Sequence, residues 1–299
     1  MEILDIEADI VNVENDAAIY SEPNFGRRAN AIDFIDFHIL DRIEILQQNA
    51  KEVRQFELLE QRARKIKQSL EDIDTKLFKQ LREGIRSGVP FGDIIFKYFG
   101  PDAIDEQSNE PGYDNLDNFI NSLFCSSALP EATVRQEHEM VFYQQTPARI
   151  IFQLAEMAHF KPGEVFFDIG SGLGQVGMLV NLLTGAKTIG VEYEPAYCNY
   201  ARNCAIELNL TGVEFINTDA RKADYSHATI FFMYTPFEGE MLQQMLDILR
   251  QHAKSRIIRF FTYGPCSTTV AKQTWLKCLN GDGNHIYKLY QFTNPVLLP

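Results

Sequence analysis

Apolar residues recur at helical spacing from about residue 30 to residue 86, a stretch in which Gly and Pro are rare. Apolar positions three and four residues apart predict one long helix with a single apolar seam. The seam comprises Phe56, Leu59, Ala63, Ile66, Leu70, Ile73 and Leu77. Two interpretations stay open: the seam packs on the chain's own helices, or it forms a coiled coil that joins two copies of the chain or binds a partner.

The pattern changes twice in the middle of the chain. Residues 87–112 are rich in Gly and Pro, which predicts a connector with short helices. Residues 113–124 return to helical spacing. Residues 132–160 are predicted to form a helix, a loop around the letters YQQTP and a second helix.

From Lys161 onward, short apolar runs alternate with helical patterns. The runs predict strands over 164–169, 187–192, 213–219, 228–234 and 256–263, and the last segment predicts a hairpin closed at residues 281–283. Strands that alternate with helices form parallel sheets covered on both faces. The fold class is therefore α/β, a doubly wound, mostly parallel, Rossmann-like sheet with an N-terminal all-α region.

These patterns divide the chain into three regions. Residues 1–30 form an N-terminal segment whose order the sequence leaves open. Residues 31–130 form a helical region with the long amphipathic helix. Residues 131–299 form the α/β domain.

The composition is that of a globular protein with a substantial core, since 45% of the 299 residues are hydrophobic and 23% are charged. No apolar run approaches the roughly 20 residues that span a membrane, and the acidic N-terminus is unlike a signal peptide. We therefore expect a cytoplasmic protein with no membrane contact. Scattered cysteines and histidines without metal spacing predict reduced thiols and no metal site. The cysteines are Cys125, Cys198, Cys204, Cys266 and Cys278.

The net charge of −13 belongs to the first half of the chain. Residues 1–159 carry 16 basic and 29 acidic side chains, whereas residues 160–299 carry 12 of each. Proteins grip nucleic-acid phosphates with Lys and Arg. An acidic half of this kind is therefore not expected to bind nucleic acid directly, and its expected partners are basic surfaces or small molecules.

The letters FFDIGSGLGQVG, residues 166–177, can be read in two registers. Gly172, Gly174 and Gly177 spell G-x-G-x-x-G, which is typical of dinucleotide-binding folds. Asp168, Gly170, Gly172 and Gly174 spell D-x-G-x-G-x-G. In a doubly wound sheet, either loop would hold a ligand beyond the carboxyl ends of the strands.

Electrostatics favours the second register. A dinucleotide places its pyrophosphate against the helix that follows the loop, where the carboxylate of Asp168 would repel it. S-adenosylmethionine carries a sulfonium and an α-ammonium, which a carboxylate attracts. Glu192 ends the second strand, where it can bind ribose hydroxyls, and Asp219 with Ala220 follows the third, near the expected adenine edge. The alternatives are a capping role for Asp168 or Asp219, a solvated Glu192, and a nicotinamide cofactor.

The fourth strand is followed by the letters YTPF, residues 234–237. Tyr234 and Phe237 are predicted to form walls of an aromatic channel that desolvates an amine. The alternative is a Pro-containing turn with core aromatics. Cys266 has two interpretations, a catalytic thiolate at a helix start or an inert buried thiol, and the second is favoured.

The letters YQQT, FFDIGSGLGQV, GVE and TIFFMYTPF resemble the catalytic core of the non-SET histone lysine methyltransferases, the disruptor-of-telomeric-silencing family, and of its uncharacterised bacterial relatives. The resemblance spans roughly residues 140–265. It implies a class I methyltransferase fold, S-adenosylmethionine as cofactor and a protein lysine as substrate.

The resemblance also implies roles for individual residues. Tyr143 and Thr146 would form a loop over the methionine part of the cofactor, while Gln175 would contact its amino-acid part. With the glycine loop and the strand ends, the predicted cofactor-binding residues are Thr146, Asp168, Gly170, Ser171, Gly172, Gly174, Gln175, Glu192, Asp219 and Ala220. The predicted catalytic residues are Tyr143, Tyr234 and Phe237. Tyr143, Tyr234 and Glu238 are candidate general bases, and desolvation of the amine is the alternative.

Three functions follow as hypotheses. The favoured one is a methyltransferase for protein lysine, in which the N-terminal helices present a protein substrate. The second is a small-molecule methyltransferase whose helical half is a lid or a dimer interface. The third is a module that binds the methyl donor without catalysis and acts through the helical seam.

Overall fold

The computed structural model describes residues 2–48, 53–101, 112–124 and 128–295. These residues form two compact units. The helical unit comprises the described residues within 1–89, 93–103 and 114–123, and the sheet unit comprises those within 90–92, 104–113 and 124–299. Cys125 and residues 102–111 of the predicted connector lie outside the described residues. The predicted domain boundaries at residues 30 and 130 stay predictions.

The first part of the chain is mainly helical from Glu2 onward. Its helices are α1 (Glu2–Asn15), α2 (Phe25–Phe34), α3 (Asp41–Gln47), α4 (Val53–Arg86), α5 (Phe91–Phe99) and α6 (Asn115–Phe124). A π-helical stretch, Ile35–Leu40, joins α2 to α3. The N-terminal segment, whose order the sequence left open, is thus helical over most of its length, and its Ile6 and Ile10 are fully buried.

The predicted apolar seam lies on α4, a single helix of 34 residues. Six of its seven side chains are buried, and Ile73 is partly buried. The seam from Phe56 to Leu70 packs on isoleucines of α1 and of the segment from Ile35 to Ile43. The seam therefore packs on the chain's own helices, which was the first interpretation. A homodimer through it stays a prediction, and would require those helices to move away.

The sheet unit is built on seven strands in the order β3-β2-β1-β4-β5-β7-β6. Their bounds are β1 Val165–Ile169, β2 Lys187–Glu192, β3 Val213–Asn217, β4 Ile230–Tyr234, β5 Arg259–Tyr263, β6 Lys277–Cys278 and β7 Tyr290–Thr293. The first five are parallel, and β7 pairs antiparallel with both β5 and β6. The predicted doubly wound, mostly parallel sheet is therefore confirmed.

Helices cover the apolar strands on both faces, as crossover connections require. They are α7 Ala148–Ala158, α8 Gln175–Thr184, α9 Pro195–Glu207, α10 Gly239–Ala253 and α11 Cys266–Ala271. The chain order reverses between β1 and β4, since β2 lies on one side of β1 and β4 on the other. Ligands of doubly wound sheets bind at this switch point, beyond the carboxyl ends of the strands.

Residues 128–147, which we call the strap, are extended with one turn. The helix predicted at the start of residues 132–160 is therefore wrong, whereas the second one is α7. The strap's backbone bonds to distant parts of the sheet unit: Val141 N donates to Pro236 O at 3.0 Å, and Glu238 N donates to Glu139 O at 2.9 Å. These long-range bonds use backbone groups that a helix would pair internally.

The packing of α4 gives a test with a neighbouring control. Leu70→Ala removes a fully buried side chain and should lower the free energy of unfolding of the helical unit by about 2–5 kcal/mol. Leu58, on the same helix, is 60% exposed, so Leu58→Ala should change it by less than about 0.5 kcal/mol. Urea unfolding and hydrogen exchange of α1 and α4 peptides would measure both. Equal effects of the two substitutions would contradict the packing of the seam.

Candidate functional site

The glycine loop between β1 and α8 distinguishes the two registers. Gly170, Gly172 and Gly174 all have left-handed backbone, with φ of 78°, 53° and 81°. A Cβ at Gly172 would collide with the ring of Tyr143, and one at Gly170 would collide with Pro236. Gly177 lies in α8, and a Cβ there would approach no atom closer than 3.5 Å. The positions that require glycine are those of D-x-G-x-G-x-G.

Asp168 lies in β1, just before this loop, and is 2% exposed. Its Oδ2 has no hydrogen-bond partner among the described residues, nor has the buried Oγ of Ser171. Burial, and secondarily the carboxylate of Glu192, raise the pKa of Asp168 to about 8. A buried acceptor without a donor is costly, so a cationic ligand with N–H groups fits this position.

Glu192 ends β2 and is buried against the loop. Its Oε2 accepts from Gly172 N at 2.7 Å and its Oε1 from Glu194 N at 2.8 Å. Burial raises its pKa, although these backbone hydrogen bonds oppose that rise. Each carboxylate oxygen has a further lone pair. Glu192 can therefore hold the loop and still accept hydrogen bonds from ribose hydroxyls, and the solvated alternative does not describe it.

Asp219 follows β3 and begins the short 3-10 turn Ala220–Lys222. Its Oδ1 accepts from Arg221 N at 2.9 Å, so the capping alternative is correct. The Arg221 side chain also hydrogen-bonds both carboxylate oxygens, and these bonds lower the pKa of Asp219. Asp219 and Ala220 nevertheless line the cleft described below. Capping and ligand contact are therefore compatible at this position.

The turn after β4 carries the predicted aromatic walls. Tyr234 is partly buried, with its ring centroid 5.0 Å from that of Tyr263, and Phe237 is buried. Between them Thr235 has left-handed backbone, with φ of 41°. This conformation is rare for a β-branched residue. The Thr235 Oγ1 accepts from Cys266 N at 3.1 Å and donates to Tyr263 O at 3.3 Å, which holds the turn in place.

These elements and the strap enclose one cleft, with about 830 Å³ of empty space including its open mouth. Eight of the predicted site residues line it: Tyr143, Gly170, Gly172, Glu192, Asp219, Ala220, Tyr234 and Phe237. The other five, Thr146, Asp168, Ser171, Gly174 and Gln175, lie outside its lining. Thr146, Asp168, Ser171 and Gln175 are buried, so a direct contact with a ligand would require local adjustment. The roles assigned to individual residues stay predictions.

Burial shifts the pKa of two of the three candidate general bases. It raises the pKa of Tyr143 and of Tyr234, so both phenols stay neutral at physiological pH. Glu238 is exposed at the start of α10. Cys266 is 2% exposed and burial raises the pKa of its thiol, which agrees with the favoured inert thiol.

Two carboxylates that hold the strap were not predicted. Glu194 caps α9 through Ala196 N and accepts from the backbone N of Thr133 and of Val134, at 2.8 and 2.9 Å. Burial opposes its ionisation, but these bonds and that from the Thr133 hydroxyl outweigh it and lower the pKa of Glu194.

Glu139 of the strap caps α10 in the same way, since it accepts from Glu240 N at 3.0 Å and from Met241 N at 2.6 Å. An acidic residue directly before Pro195 at the start of α9 was a capping signal for Glu194. No local sequence signal predicted that Glu139 caps α10.

The site residues fit S-adenosylmethionine. The glycine loop leaves room where a Cβ would not fit, Asp168 and Ser171 offer acceptor atoms without donors, and three carboxylates line the cleft. Among the described residues, no group of three or more His, Cys, Asp and Glu side chains is placed to hold a metal ion. None of the described helices is long and apolar enough to cross a membrane.

A family model described as "Histone methylation protein DOT1" matches residues 136–232, about a third of the chain. The matched segment includes most of the cleft: the second half of the strap, the glycine loop, Glu192 and Asp219. This match confirms the resemblance predicted from the sequence. The chain carries an S-adenosylmethionine-dependent methyltransferase core, and S-adenosylmethionine is its methyl donor.

Several solved structures are similar to about half of the chain. An RNA methyltransferase from Salinibacter ruber in complex with S-adenosyl-L-homocysteine is 24% identical, with a TM-score of 0.42 over 52% of this chain and 97% of that chain. Precorrin-6y C5,15-methyltransferase from Geobacter metallireducens GS-15 is 16% identical, with a TM-score of 0.39 over 52% and 91%.

A SAM-dependent methyltransferase from Aquifex aeolicus is 16% identical, with a TM-score of 0.37 over 48% of this chain and 88% of that chain. At these identities and TM-scores, the similarities do not bear on the substrate. No sequence among the curated proteins matches the chain significantly.

The two registers predict different effects of glycine substitutions on cofactor binding. Gly170 belongs only to the D-x-G-x-G-x-G register, has left-handed backbone, and has no room for a Cβ beside Pro236, so Gly170→Ala should weaken S-adenosylhomocysteine binding at least about tenfold. Gly177→Ala, in a helix and without a close neighbour, should leave the affinity within about twofold. Isothermal titration calorimetry would measure both. A larger loss from Gly177→Ala would restore the G-x-G-x-x-G register.

The pKa of Asp168 predicts proton-linked binding. Below about pH 8 the free protein holds this carboxyl protonated, and an α-ammonium favours the carboxylate, so cofactor binding at pH 7 should release a proton. Affinity should then rise from pH 6 to pH 8, by up to roughly tenfold per pH unit at the lower end. Calorimetry in buffers of different ionisation enthalpy would count the proton. Asp168→Asn should abolish the release, and a pH-independent wild-type affinity would contradict it.

Proposed function

We propose that the protein methylates a lysine side chain of a protein substrate. The charge of the cleft carries this proposal. Among the described residues that line it, every charged one is acidic: Glu192, Glu194 and Asp219. Such a cleft attracts an ammonium and repels the phosphates of a nucleic acid.

The apolar part of the cleft supports the same substrate. Its aromatic lining residues are Phe142, Tyr143, Tyr193, Tyr197, Tyr234 and Phe237. Aromatic faces attract ammonium groups, including methylated ones, through cation–π interactions. A primary amine that is methylated therefore finds a favourable surface both before and after the reaction.

S-adenosylmethionine, when bound, supplies a methyl group on a positively charged sulfur. The chain's residues hold and orient the two reactants, which is the main contribution of a protein to such a displacement. Asp168 and Ser171 would bind the amino-acid end of the cofactor and Glu192 its ribose. Tyr234 and Phe237, on the turn fixed by Thr235, would position the acceptor and exclude water.

The lysine must lose a proton before it can attack. Because Tyr143 and Tyr234 stay neutral, they are poor bases at physiological pH. Loss of hydration in the cleft disfavours the charged ammonium, and where this loss outweighs the attraction of the aromatic faces and the carboxylates it lowers the pKa of the lysine itself. We therefore propose that no dedicated base is needed: desolvation lowers the pKa of the amine, and the ammonium gives its proton to bulk water as it enters the cleft.

The proposal also assigns roles to the regions of the chain. Residues 131–299 bind the cofactor and carry out methyl transfer, and the helical region at residues 31–130 recognises the protein substrate. The large apolar side chains of Phe37 and Phe96 are 66% and 62% exposed and so are available to a protein partner. The proposal includes no direct grip on nucleic acid and no membrane contact.

Transfer of labelled methyl groups tests the substrate class. The purified protein is incubated with methyl-tritiated S-adenosylmethionine and, separately, with the protein, small-metabolite and RNA fractions of one cell extract. We expect label in the protein fraction, recovered as N-ε-methyl-lysine after acid hydrolysis. Phe237→Ala should lower this transfer at least about tenfold while S-adenosylhomocysteine affinity changes little. Tyr20→Ala, remote in sequence and 38% exposed, is the control and should leave it unchanged.

The other hypotheses give different results in the same experiment. Label in the metabolite fraction alone would favour the small-molecule methyltransferase. Tight cofactor binding without transfer to any fraction would favour the non-catalytic module. Either result would overturn the lysine proposal and leave the cofactor assignment intact.

A further inference from the structure

Arg221 contacts the predicted adenine site without lining the cleft. Its Nε donates to Asp219 Oδ1 at 3.0 Å and its Nη2 to Asp219 Oδ2 at 2.9 Å, so one guanidinium holds both carboxylate oxygens. Asp219 lines the cleft, whereas Arg221 does not. Arg221 can therefore act on a bound ligand through Asp219.

The guanidinium is itself held on its far side. Its Nη2 donates to both Glu137 oxygens, at 2.9 and 3.1 Å, and its Nη1 donates to Gln244 Oε1 at 3.3 Å. Glu137 belongs to the strap and Gln244 to α10, so two separate elements fix the orientation of Arg221. Its side chain is 23% exposed and that of Asp219 is 12% exposed. An ion pair in such a partly buried, bidentate arrangement is better defined than an isolated surface pair.

The turn that carries Asp219 is also held by a hydrogen bond from a buried tyrosine. The hydroxyl of the fully buried Tyr225 donates to Ala220 O at 2.7 Å. With the cap from Arg221 N, this bond fixes the backbone on the side of the cleft where Asp219 and Ala220 lie. The Asp219 carboxylate is therefore held in one orientation.

We propose that Arg221 is a positioning residue that fixes the orientation of the Asp219 carboxylate and so sets the selectivity of the cleft for the 6-amino group of adenine. The proposal rests on the adenine assignment of Asp219. An ionised carboxylate accepts from an amino group but cannot donate to a 6-oxo group, so hypoxanthine would place two acceptors face to face. Without Arg221, the Asp219 carboxylate can rotate away from the base, and the site discriminates less between the two bases.

Binding selectivity tests this role directly. Calorimetry compares S-adenosylhomocysteine with its 6-oxo analogue S-inosylhomocysteine, and the readout is the ratio of the two dissociation constants. The wild type should prefer the adenine compound by roughly 10- to 100-fold. Arg221→Gln should lower this ratio to about threefold or less. Arg221→Lys keeps the positive charge but cannot hold both carboxylate oxygens of Asp219, so it should give an intermediate ratio.

The neighbouring Lys222 supplies a matched control. It is an exposed cation one residue away. Lys222→Gln removes the same charge but leaves the hydrogen bonds of Arg221 to Asp219 in place. Lys222→Gln should therefore keep the wild-type ratio. If Arg221→Gln does not fold, Glu137→Gln, which weakens the support of Arg221 from the strap, should still lower the ratio part of the way.

The outcomes separate the proposal from its premise. If Arg221→Gln weakens both ligands equally and keeps the ratio, Arg221 has only a structural role and the proposal is overturned. If Asp219→Asn also keeps the ratio, Asp219 does not contact the 6-amino group of adenine, and the adenine assignment of Asp219 fails as well. A ratio that falls in both variants, but not in Lys222→Gln, supports the proposal.

Discussion

The buried carboxylate of Glu192 is the constraint on which the cleft depends. It accepts one hydrogen bond from the glycine loop after β1 and one from the residue that begins the approach to α9. The second bond fixes the backbone of Glu194, whose own carboxylate then holds the strap. Two carboxylates, two residues apart, thus join the first strand, the second strand and the strap. A buried acid would be costly alone, and the backbone donors around it compensate for that cost.

The same arrangement explains the electrostatic character of the site. Carboxylates collect at the ends of β1, β2 and β3, and the carboxylate of Glu192 adds to the effect of burial in raising the pKa of Asp168. A cationic cofactor relieves that cost, whereas a pyrophosphate would add to it. The glycine pattern alone was ambiguous between these ligands, and the charge at the strand ends distinguishes them. The loop conformation then agrees, since the left-handed positions are those of the acidic register.

Much of the sheet unit could be predicted from the sequence, because its strands and helices have strong local periods and its acidic residues end the strands. The strap could not. Its conformation depends on Glu194, 61 residues from Thr133, and on Glu139, 102 residues from Met241. Periodicity favoured a helix there, and tertiary bonds override it. Arg221 was not predicted for a related reason: its side chain is held by Glu137, 84 residues away, as well as by the nearby Asp219. The π-helical stretch at Ile35–Leu40 also has no local signature.

The left-handed backbone of Thr235 has a consequence for how the protein tolerates change. A β-branched residue in this conformation stores strain of order 1–3 kcal/mol, which its two hydrogen bonds to β5 and α11 offset. A glycine at this position would relieve the strain and also release the turn that carries Tyr234 and Phe237. Strain and hydrogen bonds therefore nearly cancel at this residue, and what the threonine adds over glycine is rigidity of the turn. The aromatic wall is thus held rigid at little net cost in stability.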